Sequence, residues 1–241
     1  MQYFMDTTET IPEGVGFDMF GTVHLIWLGA FVLAAVLCSL YYRSLDEKGR
    51  SLWRKVIAIL LVLDEVYKQV FLLIGDRWGA GYLPLHLCSV NIFIVAYHAF
   101  CPKKLTGNFL YTVCIPGALA ALLFPSWTAL PAANFMHTHS FTVHILLALY
   151  PIVLTAAGEI RPDIKLVPKC VGMLLIMAFL AWLINPLLNA NFFFMAEAGS
   201  GNPLQWFEEN WGNHLLGFPV LVSAIVLVMH SPWVVVRRLK N

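Results

Sequence analysis

One short run of this sequence, from Leu83 to Asn91, holds the residue types that a thiol enzyme needs. Cys88 supplies a nucleophile, His86 an imidazole and Asn91 a side-chain amide, all at the start of a long apolar stretch. Polar side chains are costly in the interior of a membrane, so this grouping needs a reason. A thiol that is activated by a base, next to a donor that polarises a carbonyl group, catalyses acyl transfer. Cys88 is therefore the candidate nucleophile.

The candidate bases for Cys88 are His139 and His144, on a later apolar stretch. They are five residues apart, so on one helix they point in different directions and cannot both face the same group. His86 lies two residues before Cys88, which places it about 160° away around a helix. It is a poor base for Cys88 unless the helix is unwound near Pro84. Other side chains are candidates for binding the substrate or an oxyanion: His86, Asn91, Asn185, Asn191, His214, Lys68 and Glu65.

Asp64, Glu65 and Lys68 place charges in the middle of a further apolar stretch. Lys68 is spaced from both acids as helical neighbours are, so one turn can bury an ion pair. The pair has either a structural role or a functional one, in which Glu65 or Lys68 binds a head group or orients a histidine.

The composition is that of an integral membrane protein. Hydrophobic residues make up 59% of the 241 residues and charged residues only 12%, against roughly 25% charged in soluble domains. Seven stretches are long enough for the ~20 residues that cross a bilayer core. They are predicted near Phe20–Tyr42, Trp53–Gly75, Tyr82–Cys101, Thr106–Pro125, Thr138–Ala157, Leu166–Leu188 and His214–Val236. The fold class is therefore all-α with seven transmembrane helices.

The basic residues predict the orientation of these spans. With the N-terminus outside and the C-terminus in the cytoplasm, 13 of the 15 basic residues fall in the inner segments, as the positive-inside rule requires. The exceptions are Arg77 and Lys68. The chain then divides into an outer segment 1–19, a seven-helix domain 20–236 and a basic cytoplasmic tail 237–241. Cys88 lies ~9 Å below the outer boundary at 1.5 Å per residue.

With this orientation, six of the eight histidines fall in the outer half of the membrane, which predicts a polar chamber there. They are His24, His86, His137, His139, His144 and His214. Two other classes of function remain open. Several histidines at one depth could hold zinc in a lipid hydrolase, although a His-x-x-x-His pair in the last span is missing. The chamber could instead belong to a binding protein or transporter for a polar ligand. No basic patch indicates a nucleic-acid partner.

Five motifs in the central part of the chain resemble one known family. They are LPLHLCSVN (83–91), PGALAALLFPSW (116–127), HSFTVH (139–144), GEIRPD (158–163) and NPLLNANFFFM (185–195). They occur in the order seen in YwaF-type bacterial integral membrane proteins, which are related to the eukaryotic transmembrane protein 164 family. The first two spans and the last one resemble that family in hydropathy alone.

The resemblance implies a seven-helix protein of the bacterial plasma membrane. For the eukaryotic branch it implies a Cys/His acyltransferase that acts on glycerophospholipids through an acyl-cysteine, with no cofactor and no metal. The nucleophile then falls on Cys88 and the base on His144, with His139 second. The implied partner is a membrane phospholipid or lysophospholipid, and the oligomeric state is left open. A family Asn-Tyr pair is replaced by Asn191-Phe192 here, which removes a hydroxyl group.

Overall fold

The computed structural model describes residues 2–199 and 202–240, with side chains as far as residue 235. Over these ranges the chain is helical and contains no β-strand, so the all-α prediction is confirmed. The helices are α1 Thr22–Ser44, α2 Glu47–Ile74, α3 Leu87–Phe100, α4 Lys104–Phe109, α5 Ile115–Leu123, α6 Phe135–Ala156, α7 Val167–Leu188, α8 Pro203–Trp211 and α9 Gly217–Lys240. The side chains of the predicted tail 237–241 lie outside the described residues.

Six helical segments of the described chain are long and apolar enough to cross a membrane. They run through Thr22–Ser44, Ala80–Phe100, Lys104–Leu123, Phe135–Ala156, Ile164–Leu188 and His214–Val235. The remaining long helix, α2, has 28 residues but carries Asp64, Glu65 and Lys68 along its length. Six of the seven predicted spans therefore have an apolar counterpart, and α2 is the charged one.

Helix α6 is the centre of the bundle, since α1, α2, α3 and α5 all pack against it. Its side chains Leu147, Ala148, Tyr150 and Val153 are almost fully buried. Helix α6 continues through Pro151, although proline has no N–H to donate. The helices that pack around α6 make this break in its hydrogen bonding tolerable. This central helix also carries His139 and His144.

The third predicted span begins without regular helix. A short 3₁₀ turn at Ala80–Tyr82 is followed by a tight turn, in which the Leu85 N–H donates to the Leu83 carbonyl at 2.7 Å, and α3 starts only at Leu87. His86 is the N-cap residue, with φ −67° and ψ 155°. Pro84 explains the break, because it has no N–H to donate and disfavours helical geometry in the residue before it. The amino end of α3 therefore lies one residue before Cys88.

The fourth span is interrupted by one π-helical turn, Leu110–Cys114, between α4 and α5. Pro116 cannot donate to the carbonyl four residues earlier, and the chain widens to a turn in which the Ile115 N–H reaches the Leu110 carbonyl. The turn directs the thiol of Cys114 at the Leu147 carbonyl of α6, 3.4 Å away. It thereby joins the fourth span to the central helix next to His144.

The N-terminal segment folds across the end of the bundle that carries Cys88, which we call the Cys88 end. Phe4 packs edge-on against the rings of Phe71 and Phe135. Asn134, the N-cap of α6, donates from its amide to the carbonyls of Tyr3 and Asp6 at 2.7 and 2.8 Å. The segment thus covers part of the Cys88 end, a contact that hydropathy alone did not predict.

The opposite end of the bundle, which we call the Glu159 end, is closed by a charged network. Glu159 accepts from the Tyr42 hydroxyl and from Arg54, at 2.9 and 2.7 Å, and Arg50 lies 3.5 Å away. The network ties α1 and α2 to the segment after α6. It fixes the helix ends that face away from Cys88.

Candidate functional site

Cys88 occupies the first turn of α3, where it is half-buried. The first N–H groups of any helix have no acceptor within the helix, and the first such bond here runs from the Val90 N–H to the His86 carbonyl, at 2.9 Å. These free donors and the helix dipole favour negative charge at this position. A cysteine at a helix N-terminus is accordingly a common form of reactive thiol.

His86 lies just before Cys88 in the extended part of the chain. Its Nε2 donates to the Gly81 carbonyl at 3.0 Å, since a carbonyl oxygen can only accept. The neutral ring then keeps its lone pair on Nδ1. The unwinding near Pro84 that a basic role for His86 requires is present, so His86 stays a candidate base beside His144.

His144 is held by two contacts on α6 and on the loop before it. Its Nδ1 donates to the Ser140 carbonyl at 2.7 Å, which leaves the lone pair on Nε2. Its ring stacks on Trp127, with centroids 5.3 Å apart and planes 14° apart. Helix α6, which carries His144, packs against α3, which carries Cys88. Cys88 and His144 therefore lie on two helices in contact, with His86 at the start of α3.

An ion pair borders this region on α2. Lys68 Nζ lies 2.6 Å from Glu65 Oε1, and both side chains are buried. Glu65 also accepts from Gln69 at 3.0 Å and from the Ser89 hydroxyl at 3.3 Å. The predicted pair within one helical turn is formed, with Glu65 and not Asp64 as the partner of Lys68. Through Ser89 it fixes the turn of α3 that bears Cys88.

Asn91 lies nearly one helical turn beyond Cys88 and is 2% exposed. None of the described residues donates a hydrogen bond to its buried Oδ1. An unpaired buried polar atom costs about 1–3 kcal/mol. Asn91 therefore keeps an unused acceptor nearly one turn from Cys88.

His139 points to a different neighbour. Its Nδ1 lies 2.7 Å from Asp64 Oδ2, although the two atoms are not aligned as a hydrogen bond. Its ring stacks on Phe135, at 6.0 Å. This places His139 at the contact between α6 and α2, beside an acid, whereas His144 stacks on Trp127 of the loop after α5.

Two of the predicted chamber histidines are fully used in structural bonds. His24 accepts from the Phe20 N–H at 2.9 Å and donates to the Leu122 carbonyl at 2.7 Å. His137 accepts from the Trp27 indole at 3.0 Å and donates to the Leu130 carbonyl at 3.1 Å. These rings join α1 and α6 to the chain around α5. His24 and His137 therefore have structural partners on both ring nitrogens, whereas the predicted chamber required all six histidines to face a ligand.

The predicted site residues in the last turn of α7 and beyond it form hydrogen bonds with backbone groups of the following loop. Asn185 bridges both backbone groups of Phe192, at 2.8 and 3.1 Å. Asn191 accepts from the N–H groups of the loop at 196 and 197 and donates to the Glu197 carbonyl at 3.0 Å. His214 donates to the Phe194 carbonyl at 3.0 Å. These side chains shape the loop that packs beside His86.

Trp127 is the residue of the site that sequence reasoning did not single out. It is the last residue of the motif at 116–127, and its contact with His144 could not be read from spacing. Within the described residues, no group of three His, Cys, Asp or Glu side chains is arranged to hold a metal ion. The zinc hypothesis therefore has no donor set in this part of the chain.

The fold and the site define a multi-pass helical membrane protein with a cysteine and a histidine at the amino end of one helix and a second histidine on the central helix. The profile of the TMEM164 family matches residues 19–230. The chain therefore belongs to the TMEM164 family. No curated protein and no solved structure matches it significantly.

Proposed function

We propose that this protein is a membrane-embedded acyltransferase that takes an acyl chain from a glycerophospholipid ester onto Cys88 and passes it to a lysophospholipid. The observation that carries the proposal is the position of Cys88 in the first turn of α3, with His86 as the N-cap. His144, on the adjoining helix α6, keeps its Nε2 lone pair open. A nucleophile, a base and unpaired donors are the three parts that acyl transfer requires.

In the first half-reaction His144 Nε2 accepts the Cys88 thiol proton, and Sγ attacks the ester carbonyl carbon. The N–H groups at the start of α3 and the amide of Asn91 donate to the oxyanion that forms. The carbon–oxygen ester bond breaks, and the leaving alkoxide takes the proton from the His144 imidazolium. The products are a lysolipid and an acyl thioester on Cys88.

In the second half-reaction the hydroxyl group of an acceptor lysolipid gives its proton to His144 and attacks the thioester carbon. The carbon–sulfur bond breaks, and the Cys88 thiolate takes the proton back. If water replaces the acceptor, the same steps release a free fatty acid. His144 is the preferred base because Ser140 holds its Nδ1 and leaves Nε2 to accept the proton; His139 and His86 are the other candidates.

The proposal includes α2 as a seventh span, because its 28 residues suffice to cross a bilayer. Its charges are paired inside the bundle, Glu65 with Lys68 and Asp64 with His139. Seven spans and the positive-inside rule then place the N-terminus outside and the C-terminus in the cytoplasm. Cys88 acts near the outer leaflet of the cell membrane, where phospholipid esters border the hydrocarbon core.

The test is transfer of an isotope-labelled acyl chain from a diacyl phospholipid to an added lysophospholipid by the purified protein in lipid nanodiscs. Wild type and Cys38→Ala, whose cysteine lies on α1, should transfer the label. Cys88→Ala should form no labelled product above the protein-free background. Equal transfer by Cys88→Ala and wild type would refute the mechanism.

A second candidate function, a binding protein or transporter, is favoured by the two acid–base pairs that α2 makes within the bundle. Buried ionisable groups of this kind often mark proton or ion pathways. Proton-coupled uptake of a polar solute into proteoliposomes, unaffected by Cys88→Ala and abolished by Asp64→Asn, would support this function over the acyltransferase.

A further inference from the structure

Trp127 forms a stacked aromatic arrangement with the candidate base. Its indole lies nearly parallel to the His144 ring, with the centroids 5.3 Å apart. Phe141 packs edge-on against the indole, at 5.1 Å and 84°, and in turn stacks on Trp27 at 5.0 Å. Phe141 is fully buried, so its ring restrains the indole. Trp127 is therefore held nearly parallel to the His144 imidazole.

A hydrogen bond does not account for this tryptophan. Trp127 is 7% exposed, and none of the described residues accepts a hydrogen bond from its buried indole N–H. A buried Trp N–H normally finds an acceptor. The indole N–H is thus without an acceptor among the described residues, while the face of the ring lies against His144.

We propose that Trp127 is a positioning residue that stabilises the protonated form of His144 through the face of its indole. This inference rests on the proposed function, in which His144 carries a proton once Cys88 has become a thiolate. A cation within about 6 Å of an indole centroid is attracted to the negative ring face, and tryptophan is the strongest side chain for this contact. Ser140 holds Nδ1, so the ring keeps this geometry in both protonation states.

Other charged and titratable groups surround α6 at the Cys88 end and act on the same equilibrium. They are His24 of α1, Asp64, Glu65 and Lys68 of α2, His86 before α3, Cys88 of α3, Cys114 of the π turn, and His137 and His139 of α6 itself. All of them stay in place when Trp127 is replaced. A change caused by the indole can therefore be isolated by substitution at this one position.

The experiment measures the rate at which iodoacetamide alkylates Cys88 against pH, in nanodiscs, on proteins in which the other four cysteines are Ala. The expected result for Trp127→Leu is a rate at neutral pH about two- to tenfold below wild type, with the limiting rate at high pH unchanged. Trp127→Phe keeps an aromatic face and should recover part of the loss. Trp53→Leu, which removes an indole stacked on Tyr150 far from His144, should leave the profile unchanged.

A double-mutant cycle separates this inference from the proposed function. In a His144→Ala background, Trp127→Leu should cause no further change. If His144→Ala alters the profile and Trp127→Leu does not, the role of Trp127 is overturned and the base remains. If Trp127→Leu lowers the high-pH limit as much as the neutral rate, its role is only structural. If His144→Ala has the wild-type profile, the proposed base itself is wrong.

Discussion

The histidines of this protein differ in whether one or both of their ring nitrogens form hydrogen bonds. In His24 and His137 both ring nitrogens are bound by backbone groups or an indole, so neither nitrogen is available for chemistry. In His144 one nitrogen is bound by Ser140 and the other keeps its lone pair. A general base needs this second arrangement. The sequence predicted the same half of the membrane for all three histidines and so could not distinguish them. Only their hydrogen-bond partners in the folded protein do.

At the same scale, Glu65→Gln is expected to destabilise the protein. The change leaves the buried Lys68 without its counter-charge, and breaking a buried pair costs about 3–5 kcal/mol. The midpoint of thermal unfolding in detergent, followed by circular dichroism, should fall clearly below wild type.

The control for this prediction is the double variant Glu65→Gln with Lys68→Met, which removes both charges and should recover much of the stability. An exposed acid, Glu209, provides a second control, because Glu209→Gln should have little effect on the same midpoint. If Glu65→Gln unfolds at the wild-type temperature, the buried pair does not stabilise the bundle.

At the scale of elements, hydropathy predicted the positions of the apolar helices but not the first residue of α3. The predicted span began at Tyr82, whereas regular helix begins at Leu87. Pro84 was visible in the sequence as the cause, but its effect depends on the bonds that the freed backbone finds, such as Leu83 N–H to the Ala80 carbonyl. The difference matters, since it turns Cys88 from a mid-helix residue into a helix-terminal one.

The contact of the N-terminal segment with α6 could not be predicted for a different reason. Asn134 uses one side chain to cap α6 and to hold the carbonyls of Tyr3 and Asp6, and these partners are distant in sequence. The periodicity of a sequence predicts only contacts between residues close along the chain. For the same reason the stacking of Trp127 on His144 could not be predicted.

Asn134→Ala is expected to lower stability by about 1–3 kcal/mol, because it removes a helix cap and two further buried hydrogen bonds. Limited proteolysis should then cleave the N-terminal segment faster than in wild type. The matched variant Asn202→Ala removes the cap of α8 alone and should leave cleavage of that segment unchanged. Equal protection of the segment in Asn134→Ala and wild type would contradict the anchoring role.

For the whole molecule, the two ends of the bundle have different chemistry. The Cys88 end carries the histidines, Asn91 and the N-terminal segment, and the Glu159 end is closed by Arg54, Arg50 and Tyr42 around one carboxylate. The orientation predicted from the basic residues would place the Glu159 end in the cytoplasm and the Cys88 end outside.

The orientation predicts which positions a membrane-impermeant maleimide can reach in intact cells. In a background without native cysteines, Glu13→Cys should be labelled from outside, and Lys48→Cys only after the membrane is permeabilised. Both native side chains are exposed, so burial does not decide the result. Labelling of Lys48→Cys in intact cells, with Glu13→Cys protected, would contradict the N-outside orientation.

The central claim, acyl transfer through Cys88, is tested most directly by intact-protein mass spectrometry after brief incubation with a diacyl phospholipid and an acid quench. Wild type and Cys38→Ala should gain one acyl mass that neutral hydroxylamine removes, and His144→Ala should gain it more slowly. Cys88→Ala should stay at its unmodified mass. An equal hydroxylamine-labile acyl mass on Cys88→Ala would contradict the account, because the thioester would then lie on another residue.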